Sequence, residues 1–541
     1  MKPNLYMVKK GLLFLSHYGI RNTVIKALEK GREDKASYKQ WYEKQKLTKE
    51  EQRIQTGTLF DKSPCFSILV PIYNTPIPFF TEMIDSVRNQ TYKNWELCIA
   101  NASPQNKALR EALDKVRKLD SRIKVIDVPE NEGISQNTNK ALSIATGEYI
   151  GLLDHDDLLL PEALFEYVKL INEDNQVEVL YSDEDKITED TKEVFDPNFK
   201  PDYNEELLRN GNYICHFFAA KRALVESLGG FRKEYNGAQD YDLILRVTRQ
   251  AKKTAHVKRV LYHWRVHKAS TADNPFSKKY AYEAGLKAIA EDLRKAKEEG
   301  VVEETENMGF YKVSYKYQNA PEVLIAIYGR NEESYELYKD KLQRIITYPN
   351  YTIIRSRNNP QQVRDDAACK YILFLDEGMS FNRPDFIEEM IACISRDYVG
   401  AVGVRINRGS KTLHGGLKIG NGRVDYLFAG LHKHMTGYMH RASLSSCVRG
   451  VSISCMMVKT SVVQGNDHFD SREARAADWG ISINQQGKRV IYLPEIEANS
   501  KYLLPGIAPI DEKKLLLKWG KVFEAPDPYY NENLDACGWG Y

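Results

Sequence analysis

The sequence predicts an α/β protein built from two similar units, each with a mostly parallel sheet between layers of helices. Short apolar runs such as Phe66-Ser67-Ile68-Leu69-Val70 are typical of buried strands, and segments with helical periodicity separate them. Strands that alternate with helices of this length form parallel sheets. The pattern of the first half recurs after residue 320, which indicates a second copy of the unit.

The first unit alternates strands and helices up to an acidic cluster, Asp154-His155-Asp156-Asp157. Open α/β sheets bind ligands at the carboxyl ends of their strands, and this cluster directly follows a strand. The predicted strands cover 66–70, 96–100, 123–126 and 149–153, and the predicted helices cover 79–87, 107–118 and 139–145.

The bulk composition is that of a globular protein with several domains. The chain has 541 residues, whereas domains usually hold roughly 100–200. A net charge of +3 gives no reason to expect a nucleic-acid partner, and no stretch approaches the roughly 20 apolar residues of a membrane span. We predict an N-terminal helical segment over 1–62, a first unit over 63–277, a helical linker over 278–319, a second unit over 320–505 and a tail over 506–541.

The N-terminal segment alternates basic and apolar side chains. Lys9 and Lys10 precede the apolar run 11–15, and further basic residues interleave with Ile20 and Val24. This pattern is typical of a basic amphipathic helix on an anionic membrane surface, and equally of a helix packed on its own protein. The eight cysteines are scattered, as in reduced cytosolic proteins. We therefore expect a cytoplasmic protein, with peripheral contact at the inner face of the membrane left open.

The acidic cluster has the chemistry of a divalent-cation site. Three carboxylates within four residues repel one another, and a cation at a strand end removes that repulsion. Hard oxygen ligands suit Mg²⁺ or Mn²⁺, which share substrate phosphates and can stabilise a diphosphate leaving group. A solvated acidic loop is the alternative for an isolated motif of this kind.

Two further motifs carry side chains suited to catalysis. In Gln239-Asp240-Tyr241-Asp242 the first aspartate opens an apolar helix, so it is either an N-cap or a general base facing a pocket. The segment 262–270 combines histidine, arginine and lysine, which together could hold a diphosphate or complete a metal shell.

Taken together and in this order, the motifs resemble glycosyltransferase family 2, whose fold is the α/β domain called GT-A. The resemblance covers roughly residues 64–275. It rests on Val70-Pro71-Ile72-Tyr73-Asn74, Asn131-Glu132-Gly133-Ile134-Ser135 with Asn137 and Asn139, Gly147-Glu148-Tyr149, the acidic cluster, Gly229-Gly230-Phe231, Gln239-Asp240-Tyr241-Asp242 and Arg265-Val266-His267.

The resemblance implies a role for each of these positions. Asp240 is expected to be the base that deprotonates an acceptor hydroxyl, which then attacks the anomeric carbon and inverts its configuration. Asp156 is expected to be the main ligand of Mn²⁺ or Mg²⁺, with Asp154 and His267 (or, as a weaker choice, His263) completing the site. The nucleotide-sugar residues are expected to be Pro71, Tyr73, Asn101, Gly133, Asn137, Asp154 and Asp156, and the acceptor-side residues His216 and Asp242.

One position departs from the family pattern, which usually has aspartate where this chain has Asn101. An amide oxygen can still accept the N–H of uracil or thymine, so a UDP- or dTDP-sugar is the expected donor, with cytosine left open. The expected acceptor is a glycan, a lipid-linked saccharide or a glycoprotein. A non-catalytic glycan-binding scaffold is one alternative. A nucleotidyltransferase is another, although the segment after the first strand has neither the glycine nor the lysine of a phosphate loop.

The second unit, predicted to be GT-A-like as well, lacks two of these side chains. When 149–154 is aligned with 371–376, Asp156 corresponds to Gly378. When Asp242 is aligned with Asp478, Asp240 corresponds to Ala476. We hypothesise that this unit is inactive and binds acceptor glycan, docks a partner or braces the first unit. The alternative is a second active site that uses Asp376, Glu377 and Asp478.

Overall fold

The computed structural model describes residues 35–267, 279–356, 368–462, 469–504 and 506–537, together with Val363 and nine separate positions between 15 and 29. The described helices are α1 (Lys35–Gln45), α2 (Lys49–Gly57), α3 (Ile77–Arg88), α4 (Lys107–Leu119), α5 (Ile134–Ser143), α6 (Ala163–Glu173), α7 (Glu205–Asn210), α8 (Arg222–Ser227), α9 (Gln239–Gln250), α10 (Lys279–Ala296), α11 (Glu332–Gln343), α12 (Phe386–Ile394), α13 (Arg472–Gln485), α14 (Pro509–Trp519), α15 (Lys521–Glu524) and α16 (Asn533–Ala536).

The strands form two large sheets and two small hairpins. The strands are β1 (Phe66–Ile72), β2 (Trp95–Asn101), β3 (Ile123–Asp127), β4 (Tyr149–Leu152), β5 (Leu158–Leu159), β6 (Val177–Thr188), β7 (Val194–Asn198), β8 (Phe218–Lys221), β9 (Lys253–Val266), β10 (Gly300–Glu304), β11 (Tyr311–Tyr315), β12 (Val323–Tyr328), β13 (Tyr351–Ser356), β14 (Tyr371–Asp376), β15 (Met379–Phe381), β16 (Val399–Arg408), β17 (Lys411–His414), β18 (Leu417–Gly420), β19 (Arg423–Tyr426), β20 (Ser446–Val448), β21 (Cys455–Lys459) and β22 (Arg489–Ser500).

The first sheet has the order β3-β2-β1-β4-β8-β6-β9-β5, with β7 added to β6. Strands β1 to β4 are parallel, as the alternation of strands and helices predicts. Strands β8, β5 and β7 pair antiparallel with their neighbours, so the sheet is mixed rather than mostly parallel. Side-chain periodicity reports which residues are buried but carries no information about strand direction. For that reason the sequence missed the antiparallel half.

The second sheet repeats the strand order of the first. Its path β13-β12-β14-β21-β16-β22-β15 follows the path β2-β1-β4-β8-β6-β9-β5, and β17 joins β16 as β7 joins β6. The predicted fold class, two successive α/β units with this architecture, is therefore confirmed.

The pairing registers of the two sheets also agree. Phe66 pairs with Tyr149 in the first sheet, and Val323 pairs with Tyr371 in the second. Counting forward from these pairs aligns Asp154 with Asp376, the same alignment that the sequence repeat predicts.

The segments outside the two sheets are more structured than their sequences indicate. The predicted helical linker over 278–319 is corrected, because α10 is followed by the antiparallel hairpin β10–β11. The predicted tail is corrected as well, because α14 to α16 bury Leu515, Phe523 and Leu534 in a core shared with the second sheet. The apolar partners of Leu515, Phe523 and Leu534 are distant in the chain, so the local sequence does not reveal these contacts.

The N-terminal helices pack on the protein itself. In α1 the side chains of Tyr38 and Tyr42 are 1% and 6% exposed and join a core that includes residues of both units. The Glu29 carboxylate accepts the backbone N–H of Thr436 at 2.6 Å. Residues 1–14 lie outside the described residues. Among the described helices, none combines the length and apolar character needed to cross a membrane.

A residue near the end of the chain completes the polar interior of the first unit. The Asn531 side chain is fully buried, and its amide donates to Asp183 Oδ2 at 2.9 Å and to the Lys200 carbonyl at 2.9 Å. Asp183 also contacts His256 Nε2 at 2.9 Å. The first unit and the C-terminal segment therefore share one buried hydrogen-bond network.

Candidate functional site

The candidate site lies where the parallel strands of the first sheet end. Because β1, β2 and β4 are parallel, Tyr73, Asn101 and Asp154 follow their carboxyl ends on one edge of the sheet. Tyr73 is 52% exposed, and Pro71 is the partly buried next-to-last residue of β1. This edge is the position at which open α/β sheets bind ligands.

Asn101 is already occupied by protein contacts. Its side chain is 1% exposed, its Nδ2 donates to Asp127 Oδ1 at 2.8 Å, and its Oδ1 accepts the Ser103 N–H at 3.1 Å. The expectation that this amide oxygen receives the base N–H is therefore corrected, because the oxygen is turned inward. Asp127, at the end of the neighbouring β3, is exposed on the same edge, and sequence reasoning did not single it out.

Gly133 and Asn137 lie at the start of α5, next to this edge. Gly133 has a φ of +91°, which favours glycine, and its N–H donates to Asn131 Oδ1 at 3.1 Å. Asn137 donates to the same oxygen at 2.9 Å, and its own Oδ1 is buried with no hydrogen-bond partner among the described residues. The Ser135 N–H donates to Asn236 Oδ1, which ties this loop to the turn before α9.

The acidic cluster divides into an anchor and an accessible pair. Asp157 is fully buried and accepts the Tyr262 hydroxyl at 2.5 Å and the Arg265 N–H at 2.8 Å. Burial raises the pKa of the Asp157 carboxyl, and the nearby Asp156 and Asp154 raise it further. Asp154 and Asp156 are only partly buried, so they are the accessible members of the cluster.

Asp156 is paired with His267, the contact that the sequence predicts for a metal site. His267 Nε2 lies 2.7 Å from Asp156 Oδ2, and the Arg265 side chain donates to the Asp156 carbonyl at 2.6 Å. His263 does not join them. It faces Asp185, and its Nε2 lies 3.0 Å from the Tyr42 hydroxyl, so the weaker choice of His263 as a ligand is corrected.

His216 completes a second group of donor atoms. Ligand atoms of Asp154, Asp157 and His216 lie within 4.8 Å of one another. The His216 ring stacks on Tyr262, with ring centroids 4.6 Å apart. The sequence did not predict this grouping, because His216 precedes β8 and comes opposite Asp154 only when β8 pairs with β4.

A buried ion pair sets the position of the His216 turn. The Lys200 side chain is fully buried, and its Nζ donates to the Ile214 carbonyl at 2.6 Å and to the His216 carbonyl. Glu184 Oε2 accepts the His216 N–H at 2.9 Å and lies 3.3 Å from Lys200 Nζ. The local sequence gives no role for Lys200 or Glu184, since their partners are distant in the chain.

Asp240 lies in the first turn of α9, where the helix dipole favours a negative charge. Its Oδ2 accepts the Asn212 amide at 3.0 Å. Burial raises the pKa of the Asp240 carboxyl, the nearby His216 lowers it in part, and Asp154 raises it. Asp240, His216 and Asp154 are therefore neighbours, and they include a carboxylate with the raised basicity that a general base requires.

Asp242 was expected on the acceptor side, and this prediction is corrected. Its side chain is 2% exposed and paired with Arg232 and with Arg246, whose NH2 nitrogen lies 2.7 Å away. Two helical residues separated by one position point to nearly opposite faces. When Asp240 faces the site, Asp242 therefore faces the interior and anchors α9.

The donor atoms at this edge fit a divalent cation. Asp154, Asp156, Asp157, His216 and His267 offer carboxylate oxygens and imidazole nitrogens, a combination that suits Mn²⁺ better than Ca²⁺. The structure brings them together as two adjacent groups, one around Asp154 and one around Asp156.

Residues 67–229 match the family model described as "Glycosyl transferase family 2". The first unit is a glycosyltransferase family 2 domain. An uncharacterised protein y4gI of Sinorhizobium fredii is 29% identical over 89% of this chain and 58% of its own length. The O-antigen biosynthesis protein RfbC of Myxococcus xanthus is 25% identical over 87% of this chain and 40% of its own length. The chain thus spans about half the length of these relatives.

Solved structures with similarity to this chain are also known. S. aureus TarS 1–349 in complex with UDP-GlcNAc is 21% identical over 42% of this chain and 66% of that chain, with a TM-score of 0.35. The mannosyltransferase PcManGT of Pyrobaculum calidifontis, in complex with GDP-Man and Mn²⁺, is 17% identical over 51% of this chain and 85% of that chain, with a TM-score of 0.31.

The corresponding edge of the second sheet has different side chains. Asp376 occupies the position of Asp154, and Ser454 occupies that of His216 and donates to Asp376 Oδ2 at 2.9 Å. The Arg472 guanidinium also donates to Asp376, with one nitrogen 2.9 Å from Oδ2. An arginine of the chain thus supplies positive charge beside Asp376.

The other candidate carboxylates of the second unit are occupied as well. Glu377 lies 2.5 Å from Arg330 and accepts the Ser334 hydroxyl, while Asp478 accepts the Lys518 ammonium and the Trp519 indole N–H, each at 2.7 Å. Sequence reasoning missed Glu473, which lies one turn before Ala476, is fully buried and accepts the Ser452 hydroxyl.

Proposed function

We propose that the family 2 domain transfers a sugar from a nucleotide-diphosphate donor to a hydroxyl of a growing glycan or glycoconjugate, with inversion at the anomeric carbon. The observation that carries the proposal is the proximity of Asp240, His216 and Asp154 at the carboxyl edge of the first sheet. A base, a group of cation ligands and a nucleotide-binding edge are the parts that such a transfer needs.

The donor is proposed to be a UDP- or dTDP-sugar. Pro71 and Tyr73 border the nucleoside position, and Gly133 and Asn137 flank it from the start of α5. Asp127 replaces Asn101 as the proposed acceptor of the base N–H, because its carboxylate is exposed and Asn101 holds it at the edge.

Asp156, His267 and Asp154 are proposed to hold Mn²⁺ or Mg²⁺, which when bound would neutralise the diphosphate that leaves. Arg265 keeps Asp156 in place through its carbonyl. The anchored Asp157 and the buried Lys200–Glu184 pair fix the two backbone segments that carry Asp154 and His216.

Asp240 is proposed to remove the proton of the acceptor hydroxyl as its oxygen attacks the anomeric carbon. One C–O bond forms, the bond from the anomeric carbon to the diphosphate breaks, and the proton passes to Asp240. Burial raises the pKa of this carboxyl and so increases its strength as a base. Asn212 and the helix dipole hold it ionised and oriented.

A direct experiment is a metal-dependent transfer and donor-hydrolysis assay with a panel of sugar nucleotides. Asp240→Asn is expected to lower the transfer rate by at least about 100-fold with little change in donor affinity, since general-base catalysis contributes roughly 10²–10⁴. Asp156→Asn is expected to weaken metal-dependent donor binding. The matched control is Asp190→Asn, an exposed carboxylate paired with Lys192. Full activity in folded Asp240→Asn would exclude the proposed base.

The acceptor is proposed to be a bacterial surface polysaccharide, a lipid-linked saccharide or a glycoprotein, on the cytoplasmic side and with peripheral membrane contact through the N-terminus. The support is the name of the M. xanthus relative, an O-antigen biosynthesis protein. No nucleic-acid partner is proposed.

The second unit is proposed to be non-catalytic. Its three candidate carboxylates, Asp376, Glu377 and Asp478, are each paired with a cationic side chain of the chain itself. A bifunctional enzyme with two active units is the alternative. Transfer activity that survives Asp240→Asn and disappears in Asp376→Asn would favour it.

A further inference from the structure

A cavity of about 270 Å³, with charged side chains among its lining residues, lies between the two units. We propose that this interunit cavity binds sugars of the acceptor glycan that precede the reacting one, an inference that rests on the proposed glycosyl transfer. The cavity is lined by α7 of the family 2 domain, by the hairpin β10–β11 and by several segments of the second unit. Its volume is near the lower end of ligand pockets, which begin at roughly 300 Å³.

Charged groups of both signs line the interunit cavity. Lys312 comes from the hairpin, Arg405 from β16, and Glu495 and Glu497 from β22. Within the part of the chain that the structure describes, none of these four forms an ion pair within 4.0 Å, although Arg405 is only 3% exposed. Burial raises the pKa of the Glu495 carboxyl and Lys312 lies near enough to lower it in part, but the two make no ion-pair contact. Charges that are partly withdrawn from water without such a contact are costly to a fold, so their retention points to a ligand.

The existing hydrogen bonds leave capacity for that ligand. Glu495 accepts the Ser445 hydroxyl at 3.2 Å and Glu497 accepts the Asn407 amide at 3.2 Å, which uses only part of what two carboxylates can accept. The Arg405 guanidinium donates to the Thr412 hydroxyl and to backbone carbonyls.

The mixture of charges selects the chemistry of the ligand. The two carboxylates disfavour an anion, Lys312 and Arg405 disfavour a cation, and an apolar ligand would leave their remaining hydrogen-bonding capacity unused. Sugar hydroxyls both donate and accept, so they satisfy carboxylates and cationic donors together. A neutral oligosaccharide therefore fits this wall best.

The position of the interunit cavity relates it to the acceptor side of the catalytic site. Asn210 lines the cavity, and Asn212, two residues further along, donates to Asp240. Between them Gly211 packs against the tip of the hairpin, where an added Cβ would lie 3.2 Å from the Gly309 carbonyl. The ring of Tyr311, a second lining residue, stacks near Tyr241, the chain neighbour of Asp240. The cavity therefore lies on segments that adjoin Asp240, where the preceding sugars of an acceptor would be bound under this proposal.

This assignment gives the second unit a function without catalysis. It supplies Arg405, Glu495 and Glu497 to the cavity wall. Among the described lining residues, Asn210 is the one that comes from the family 2 domain. The residues around Asp376 at the edge of the second sheet are then not needed for acceptor binding.

The experiment measures binding of the labelled full-length chain to a printed array of bacterial oligosaccharides. Ser443 is exposed at the cavity wall, so Ser443→Trp fills the cavity without burying a new group in the core. Lys312→Met, which removes a charged hydrogen-bond donor, and Ser443→Trp, which occupies the space, are each expected to weaken glycan binding by about 10-fold or more. Lys316→Met, which changes an exposed residue directly after β11, is the matched control and is expected to bind as the unchanged chain does.

Calorimetry with UDP and Mn²⁺ separates the two proposals. Unchanged UDP binding with weakened glycan binding in Ser443→Trp and Lys312→Met supports the cavity. Absence of glycan binding at millimolar concentration, or glycan binding of full strength in both variants, overturns it. If the chain without substitutions does not bind UDP, the proposed transfer is contradicted. The array result then tests the cavity separately.

Discussion

In the second unit Arg472 forms a two-point ion pair with Asp376, the residue that occupies the position of Asp154. The Arg472 guanidinium also lies over the Tyr328 ring, 4.2 Å from its centroid. In the family 2 domain the side chains at this position fit a bound cation, whereas in the second unit the guanidinium of Arg472 provides the positive charge.

Arg472→Met is expected to destabilise the second unit because it leaves Asp376 without its cationic partner in a mostly buried position. The loss is expected to be about 3 kcal/mol, the lower end for breaking a buried pair. Urea unfolding measures it, and adding Asp376→Asn to the variant is expected to restore part of the stability. Sugar transfer by the folded variant is expected to be unchanged. A folded variant without activity would argue for a second active site.

Asp127→Asn is expected to weaken UDP binding by about 10-fold or more, since a charge-assisted hydrogen bond to the base becomes a neutral one. Calorimetry with UDP and Mn²⁺ measures the change. Asp114→Asn provides the matched control, because Asp114 is an exposed carboxylate on α4, away from the strand ends. Equal affinities for the two variants would remove Asp127 from the nucleotide site.

Asn212→Ala is expected to shift the acidic side of the pH–rate profile for sugar transfer to higher pH. The Asn212 amide stabilises the ionised form of Asp240, so its removal raises the pKa of a carboxyl that burial already raises. A base must be deprotonated to act, and the rate therefore falls at low pH first. The pH dependence of kcat measures the shift. A uniform loss of rate at every pH would instead indicate a change in geometry.

Glu473→Gln is expected to stabilise the protein at pH 8 and to have little effect at pH 5. Burial raises the pKa of Glu473 to about 7, so between its unfolded pKa and pH 7 the folded state holds a proton that the unfolded state releases. Raising the pH through this window lowers the free energy of unfolding by at most about 3 kcal/mol. Urea unfolding at the two pH values tests the sign, with the exposed Glu50→Gln as control. Stabilisation of equal size at both would contradict it.

The sequence predicted the features that local pattern encodes. The strand ends that carry Pro71, Asn101 and Asp154 follow from apolar runs, and the repeat correctly aligned Asp154 with Asp376. These inferences need only burial periodicity and residue order. The Asp156–His267 contact was anticipated from the family motif and is present, whereas the roles of these residues stay proposals.

Features that depend on long-range pairing were not predicted. His216 reaches Asp154 only through the antiparallel β4–β8 pair, and Lys200 acts on a turn 14 residues away. The inward turn of the Asn101 amide depends on Asp127, a partner on the next strand. Nothing in the local sequence around these residues distinguishes a ligand contact from an internal hydrogen bond.

The contact between Asn531 and Asp183 spans 348 positions of the chain. At typical synthesis speeds Asp183 leaves the ribosome roughly 20–70 s before its partner is made. Throughout that interval the nascent first unit holds a carboxylate without its final hydrogen bonds, next to the Lys200 segment that sets the His216 turn. A nascent chain would therefore acquire the final hydrogen bonds of this network only once residue 531 has been made, so shorter nascent chains would not consume donor.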